Sequence, residues 1–511
     1  MTKDLPTITI DGRTHEGGGQ ILRLAAGLSA ITGKAITITN IRAGRVPTGL
    51  RGSHVEAIKC LKEMSASEAQ GVELGSESVV FHPACPVSSS SSQSSTTSRS
   101  SKTTKGKKPT KGKRKFLLRQ TSVNSPSTNP EAPVVISRKQ TGTSGSSTEL
   151  ERQITITQKT NGASFLIFQA IYPYLLARAR RPISVRIIGG TNMRSAPSLD
   201  YVEQVLLPNF AKFGLPPASV YLHKRGWDTG PYDLGDVTVE VQPLPLVIDD
   251  NNDNDSDNDA YGKSPLRPVF PEIDLNRYGR GRIKSIQITV LAPDDPVLRN
   301  TVDGPGFDPD VENTPPRSHN QADKIYTARE YLEYQTYLQI RKRLLLLPND
   351  LFVGSSDIDG GANGFAAGIV SMDTYKTERT YHPTHMYVLV VAEMDNGFRI
   401  GVDGAGSGTR LGSTRRLHDT AHVRMGIAKE LAETCIRHFV DEISMARFDS
   451  GGRKPCVDQN MRDQMVVFEA LSPAPSSRSL SCVEVEDPRY WSSHTRTAKW
   501  VCEKILGSEP E

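Results

Sequence analysis

The chain has 511 residues, 62 basic against 57 acidic side chains for a formal charge of +5, and a hydrophobic fraction of 36%. That length holds two or three domains, no stretch reads as a membrane span, and no apolar run follows Met1 that would mark a secreted protein. Six cysteines without a close CxxC pair point to a reducing compartment and away from a zinc knuckle or disulfide scaffold.

The net charge says little about partners; the order of residues says more. Thr7-Ile8-Thr9-Ile10 alternates like a strand, and Glu16-Gly17-Gly18-Gly19-Gln20-Ile21-Leu22-Arg23 leads into a helix over 20–32. Ile21, Leu24, Ala25, Leu28 and Ile31 share one face of that helix. Three glycines let the backbone approach a bulky anion, and the free N–H groups of a helix start can bind it. Glu16 adds a carboxylate suited to a metal or a ribose, and Arg23 a fixed positive charge. Together they point to a nucleotide site.

A strand over 35–39 follows, then Arg42-Ala43-Gly44-Arg45 and Gly49-Leu50-Arg51-Gly52-Ser53-His54, which opens a helix over 54–64. Guanidinium forks at strand and helix ends suit phosphate oxygens, although a solvated loop has the same composition. Further strands are expected at 154–157, 183–188, 237–241, 286–291 and 386–392, and helices at 163–178, 198–213, 327–346 and 420–441. Half-polar strands alternating with helices imply an α+β layered fold rather than a doubly wound parallel sheet. No internal repeat is evident in the pattern.

Three segments lack the apolar residues for a core and read as disordered insertions: 86–150, 249–266 and 300–322. The first carries the basic run Lys102 to Lys115, which fits a nuclear-localisation signal, a weak RNA tether or a solvated loop equally well. The acidic run in the second lacks the glycine and glutamate of a calcium loop. Gly27 to Lys34 has the wrong spacing for a P-loop, and Gly404-Ala405-Gly406-Ser407-Gly408 reads as a glycine-rich turn. His494 falls in a loop just ahead of a helix over 498–506, and a lone loop histidine carries little weight.

Taken together, these residues resemble the RNA 3′-terminal phosphate cyclase family. The resemblance runs through Asp11-Gly12, Glu16 to Arg23, Ile41 to Arg45, Gly49-Leu50-Arg51, His54, Gln169 and Gly189-Gly190-Thr191-Asn192. It continues through Ala196-Pro197, Asp200-Tyr201, Val457-Asp458, Asp463-Gln464 and His494-Thr495-x-Thr497-Ala498. It implies repeated βαβαββ-type units forming a large domain (1–281 and 449–511), with a smaller α/β insert domain at 282–448.

The resemblance also implies an activity: ATP-dependent conversion of an RNA 3′-phosphate to a 2′,3′-cyclic phosphate, a ligase-type nucleotidyl transfer. His494 would be the nucleophile that takes up AMP. Glu16 would hold Mg2+ or Mn2+, and Glu16, Gln20, Arg23, Arg42, Arg45, His54, Gln169, Asp463 and Gln464 would surround ATP and its phosphates. Ser53, Asn460 and the loop Trp227 to Asp236 depart from the family pattern, which commonly has Gln, Tyr and a glycine-rich turn there. An alternative is a catalytically weak or inactive relative that binds RNA or protein in ribosome assembly or RNA processing. An enolpyruvyl transferase, related in fold, has no supporting motif. The inserted charged segments suggest a nuclear protein.

Overall fold

The computed structural model describes residues 7–84, 153–160, 162–228, 234–247, 267–297, 327–353, 370–405, 421–445, 454–473 and 488–507. The three expected insertions, at 86–150, 249–266 and 300–322, lie outside the described residues.

Strand β1 (Ile8–Asp11) is followed by a turn and helix α1 (Gly19–Thr32), which ends at Gly33, in the left-handed conformation with its N–H on the Ser29 carbonyl. Strand β2 (Ile36–Thr39), helix α2 (Gly52–Met64) and strands β3 (Glu68–Gln70) and β4 (Val79–His82) complete a first unit. Its sheet has the order β1-β2-β4-β3, with β1 parallel to β2 and the other pairs antiparallel.

A second unit repeats this topology. Strand β5 (Gln153–Thr157), helix α3 (Ser164–Arg178), strand β6 (Ile183–Gly189), helices α4 (Leu199–Tyr201) and α5 (Leu207–Lys212), and strands β7 (Ala218–Lys224) and β8 (Gly235–Val241) form a sheet β5-β6-β8-β7. Strand senses match those of the first unit. The repeat is legible only in topology: Ile8 and Ile10 face Ile36 and Ile38, whereas Ile154 and Ile156 face Val185 and Ile187. Each apolar pair is one of several residues that satisfy the same half-buried position.

Between α4 and α5 a π-helical turn spans Val202–Leu206. Pro208 has no N–H to offer the carbonyl four residues back, that of Gln204, which instead accepts from Arg399 Nη1 at 3.0 Å. The single helix expected over 198–213 is therefore one path with a bulge in it.

Strands β9 (Leu246–Val247) and β10 (Arg267–Pro268) pair as a short ribbon. A third four-stranded sheet follows from β11 (Ile283–Pro293), helix α6 (Ala328–Leu344), and strands β12 (Ser371–Thr380), β13 (Tyr387–Met394) and β14 (Arg399–Ala405), in the order β12-β11-β13-β14. Helices α7 (Ala421–Ser444), α8 (Gln459–Leu471) and α9 (Ser493–Leu506) end the chain of described elements. The mixed α/β architecture agrees with the expected α+β class and repeated units. Gly404 and Ala405, expected in a turn, instead end β14 and pair with Val388 and Tyr387; residues 406–408 lie outside the described residues.

α1 is buried over Gly19 to Ala30 because it packs against α2, α3 and α9 as well as its own sheet. Gly27 allows the α1–α3 crossing: a Cβ there would stand 2.8 Å from the Ala170 carbonyl oxygen. A second constraint ties β12 to the second unit. Its register with β11 passes from Ile288↔Thr374 to Thr289↔Lys376, leaving Tyr375 as an extra residue. After that bulge, Lys376 Nζ reaches Asp200 at 3.1 Å and Glu378 pairs with Arg225 at 2.7 Å. Arg225 also bonds Asp200, at 2.7 Å, with Asp200 fully buried. Burial opposes the Asp200 charge, but Arg225 and Lys376 outweigh it and hold the carboxyl below its usual range.

Removing one partner of a buried ion network leaves the others uncompensated. Asp200→Asn is expected to lower the unfolding free energy by about 3–5 kcal/mol, read from urea titrations. An unchanged midpoint would show the network to be replaceable by solvent.

Candidate active site

The turn after β1 carries two residues in the left-handed region, His15 and Gly17. It delivers Gly18 as the N-cap of α1, with no side chain capping it. The next two glycines are needed by the protein's own side chains. A Cβ at Gly18 would lie 1.8 Å from Glu16 Oε1, and one at Gly19 would lie 2.2 Å from His54 Nε2 and 2.8 Å from Arg23 Nη1. The space above the helix start, expected to admit an anion directly, is thus first shared by Glu16, His54 and Arg23.

His494 enters the same space. It sits in the first turn of α9 and not in a loop, because Ser492 caps that helix by accepting from the Thr495 N–H at 3.0 Å. The helix expected from 498 therefore begins a turn earlier, at Ser493, with Ser492 as its cap. His494 Nδ1 lies 2.7 Å from Gln20 Oε1 and 3.7 Å from Glu16 Oε2. With the Gln20 oxygen accepting, Nδ1 carries the ring proton and Nε2 keeps its lone pair. Burial lowers the His494 pKa; Glu16 opposes this, and Arg23 and Arg45 add to it. This balance favours the neutral imidazole.

The remaining candidates come from α1, the β2–α2 loop, α2, α3 and α8. Arg45, in the β2–α2 loop, donates to the Glu16 carbonyl at 3.2 Å and approaches its carboxylate at 3.4 Å. Arg42, in the same loop, is lowered in pKa by burial and by Arg51 and Arg45. Arg23 Nε donates to Gln169 Oε1 of α3 at 3.0 Å, and burial brings its pKa down to about 10. On α8, Gln464 Nε2 donates to Asp463 Oδ1 at 2.8 Å. Gln169 and Gln464 line one cavity of about 20 Å³ with Phe168 and Pro197, room for about one water.

His54 on α2 is buried. The Arg51 backbone N–H donates to its Nδ1 at 3.1 Å, so the proton is on Nε2, which faces the start of α1. Burial, with Arg23, Arg42 and Arg51 nearby, lowers its pKa to about 3. It is a neutral donor in a cationic setting. Thr497, to which the sequence reading gave no role, accepts from the Glu16 N–H at 3.3 Å and ties the turn to α9.

Three buried polar atoms of this cluster have no hydrogen-bond partner: Glu16 Oε2, Gln20 Nε2 and Arg42 Nε. Two are donors and one a carboxylate oxygen, a set that a phosphate with a divalent cation satisfies. Among the described residues, no three His, Cys, Asp or Glu side chains gather into a cage for a metal ion. One carboxylate supplemented by phosphate oxygens is nevertheless the usual way Mg2+ is held.

Of the positions that depart from the family pattern, Ser53 and Asn460 lie in the first turns of α2 and α8. Trp227 stacks on His385 with centroids 4.8 Å apart, and Asp228 pairs with Arg194; residues 229–233 lie outside the described residues.

Repeated βαβαββ units with Arg23, Arg42 and Arg45 gathered near a helix start define an α/β protein with a cationic cluster. The RNA 3′-terminal phosphate cyclase family matches residues 14–104 and 139–511, and the chain belongs to that family. Membership implies an RNA substrate and a place in RNA processing. Among the described residues, no helix is long and apolar enough to cross a membrane.

Asp463 gives the site a pH signature. Burial raises its pKa to about 7, against hydrogen bonding from Gln464 and the charge of Arg23. A carboxyl raised above its unfolded value of about 3.9 loses stability as pH climbs between the two values. His54 acts oppositely, losing stability as pH falls below about 6.5. Asp463→Asn is expected to melt higher than wild type at pH 8 and at nearly the same temperature near pH 4, in thermal scans at constant ionic strength. Parallel curves for the two proteins would place an ionised Asp463 in a solvated setting.

Proposed function

We propose that the protein converts an RNA 3′-terminal phosphate into a 2′,3′-cyclic phosphate using ATP, through a covalent bond between His494 and AMP. The observation that carries this reading is the 2.7 Å contact of His494 Nδ1 with Gln20 Oε1, which leaves the ring's lone pair on Nε2, with Glu16 Oε2 3.7 Å from Nδ1.

His494 Nε2 attacks the α-phosphorus of ATP. The N–P bond forms as the bond to the pyrophosphate oxygen breaks, and pyrophosphate leaves with that electron pair. The Nδ1 proton stays on the ring, held by Gln20. An oxygen of the RNA 3′-phosphate then attacks the same phosphorus, and the N–P electrons return to Nε2. In the RNA adenylate, the 2′-hydroxyl attacks the adjacent 3′-phosphorus and releases its proton to solvent, expelling AMP; proximity favours this step. Arg23, Arg42, Arg45 and the His54 Nε2–H neutralise and orient phosphate oxygens. Mg2+ or Mn2+, held by Glu16 with those oxygens, supplies further charge neutralisation. Asp463, Gln464 and Gln169 flank the adenosine in this reading.

A family member that only binds RNA or protein in ribosome assembly needs neither an oriented imidazole nor three orphaned polar atoms around it. That weighs for the enzyme. The insert domain at 282–448 and a nuclear location belong to the same reading, the latter resting on the basic run Lys102 to Lys115.

Incubation with ATP, a divalent ion and an RNA ending in a 3′-phosphate is expected to make that end phosphatase-resistant, and His494→Ala to abolish the change. A folded wild-type protein that leaves the end phosphatase-sensitive across metals would refute the cyclase and favour the binding factor. Gln20→Leu removes the acceptor that orients the ring. It is expected to lower kcat about a hundredfold with little change in KM for ATP, and a pure KM effect would make Gln20 a phosphate ligand instead.

A further inference from the structure

The β2–α2 loop offers more than the two arginines it lends to the site. Residues Ala43 to Thr48 are exposed, yet the loop is held by backbone bonds from Ala43 to Asn40, Arg45 to Arg42 and Gly49 to Ile41. At its tip Val46 is 99% exposed. A single exposed valine means nothing by itself; its setting gives it weight. Arg51 follows as the N-cap of α2, exposed and, among the described residues, without a carboxylate at ion-pair distance, whereas Arg45 has Glu16. Its charge is felt inside: it helps depress both Arg42 and His54. An unpaired arginine repelling its neighbours calls for an anion outside the phosphate pocket.

We propose that this loop is the docking rim for the RNA strand leading to the 3′-phosphate. Arg51 holds a backbone phosphate one linkage in from the end, and Val46 packs against the adjoining nucleoside. The inference rests on the proposed function for its substrate. The charge and exposure of the rim match a single strand whose backbone is held by arginine and whose sugars or bases meet apolar side chains. Nothing in this arrangement reads sequence, so the rim positions any RNA end.

The test uses the full chain and a labelled RNA with a 3′-phosphate, titrated by fluorescence anisotropy without ATP at several salt concentrations. Arg51→Ala is expected to weaken binding about tenfold and to reduce the salt slope by about one. Val46→Asp, which sets a carboxylate at the tip, is expected to weaken it comparably. A neutral methylphosphonate at the linkage next to the 3′ end should weaken wild type by the same factor and Arg51→Ala no further. In steady state, KM for RNA should rise in Arg51→Ala while KM for ATP barely moves.

Thermal melts confirm that both variants fold. Unchanged RNA binding by both, or a rise in KM for ATP equal to that for RNA, overturns the proposal; the latter would make Arg51 a triphosphate contact. Wild-type protein that binds no RNA overturns it too, and leaves the exposed loop to a protein partner. If wild type binds RNA but does not cyclise it, the enzymatic reading fails, and the rim is judged on the binding arms alone.

Discussion

The start of α1 is stripped of side chains so that three others can meet there. A methyl group on Gly18 would displace the Glu16 carboxylate from its present position, and one on Gly19 would displace His54 and Arg23. Once those three are seated, α9 brings His494 onto Gln20, one residue beyond the glycines, and the arginines of the β2–α2 loop close over Glu16. The glycines therefore act through close approach at least as much as through backbone freedom; of the three, only Gly17 has a positive φ. Every later feature of the cluster, including the unpartnered atoms, follows from how tightly this corner is packed.

That tightness also explains which parts of the protein could be read from sequence. Long apolar or alternating elements such as α1, β6 and β13 announce themselves, because burial on one or both faces leaves a periodic trace. Strands β3, β7, β12 and β14 and helix α8 do not. β12, Ser-Met-Asp-Thr-Tyr-Lys-Thr-Glu-Arg-Thr, is an edge strand whose burial alternates, but its inner positions hold Thr374, Lys376, Glu378 and Thr380, so the alternation leaves no apolar period. The candidate side chains stand together in space, yet their grouping came from resemblance. What sequence could not supply was the pairing of His494 with Gln20, 474 positions away, or the service of His54 as a neutral donor. Tertiary distances of this kind leave no mark in local pattern.

The network around Asp200 shows the same limit from another side. Its members Asp200, Arg225, Lys376 and Glu378 come from α4, the end of β7 and β12, and both β12 residues lie past the register shift at Tyr375. The chain joins its second unit to its third sheet by charge as well as by apolar packing. Such a junction favours a fixed arrangement, since displaced charges would be left in a desolvated setting without partners. Loop residues Asn192 to Ser198 lie over this junction, with Asn192 bonded to Arg225 and Ser198 to Asp403. They are anchored to both sides.

Electrostatics then constrain how the proposed reaction must run. Arg23 and Arg42 are depressed first by burial and then by neighbouring cations, with Glu16 opposing the shift in both and Asp463 in Arg23. An incoming triphosphate relieves that crowding, but the same negative charge raises the pKa of His494 and tends to protonate the atom meant to attack. A neutral nucleophile beside a polyanion is sustained only if other positive charge faces the phosphates while the ring faces a dipole. The cluster is arranged that way. The cationic groups Arg23, Arg42 and Arg45 gather on the Glu16 side, His54 adds a donor without adding charge, and the ring proton of His494 is directed to an amide oxygen instead of a carboxylate. Had Gln20 been an acid, its charge would raise the pKa of His494 and shift the ring toward the imidazolium, which has no lone pair to attack with.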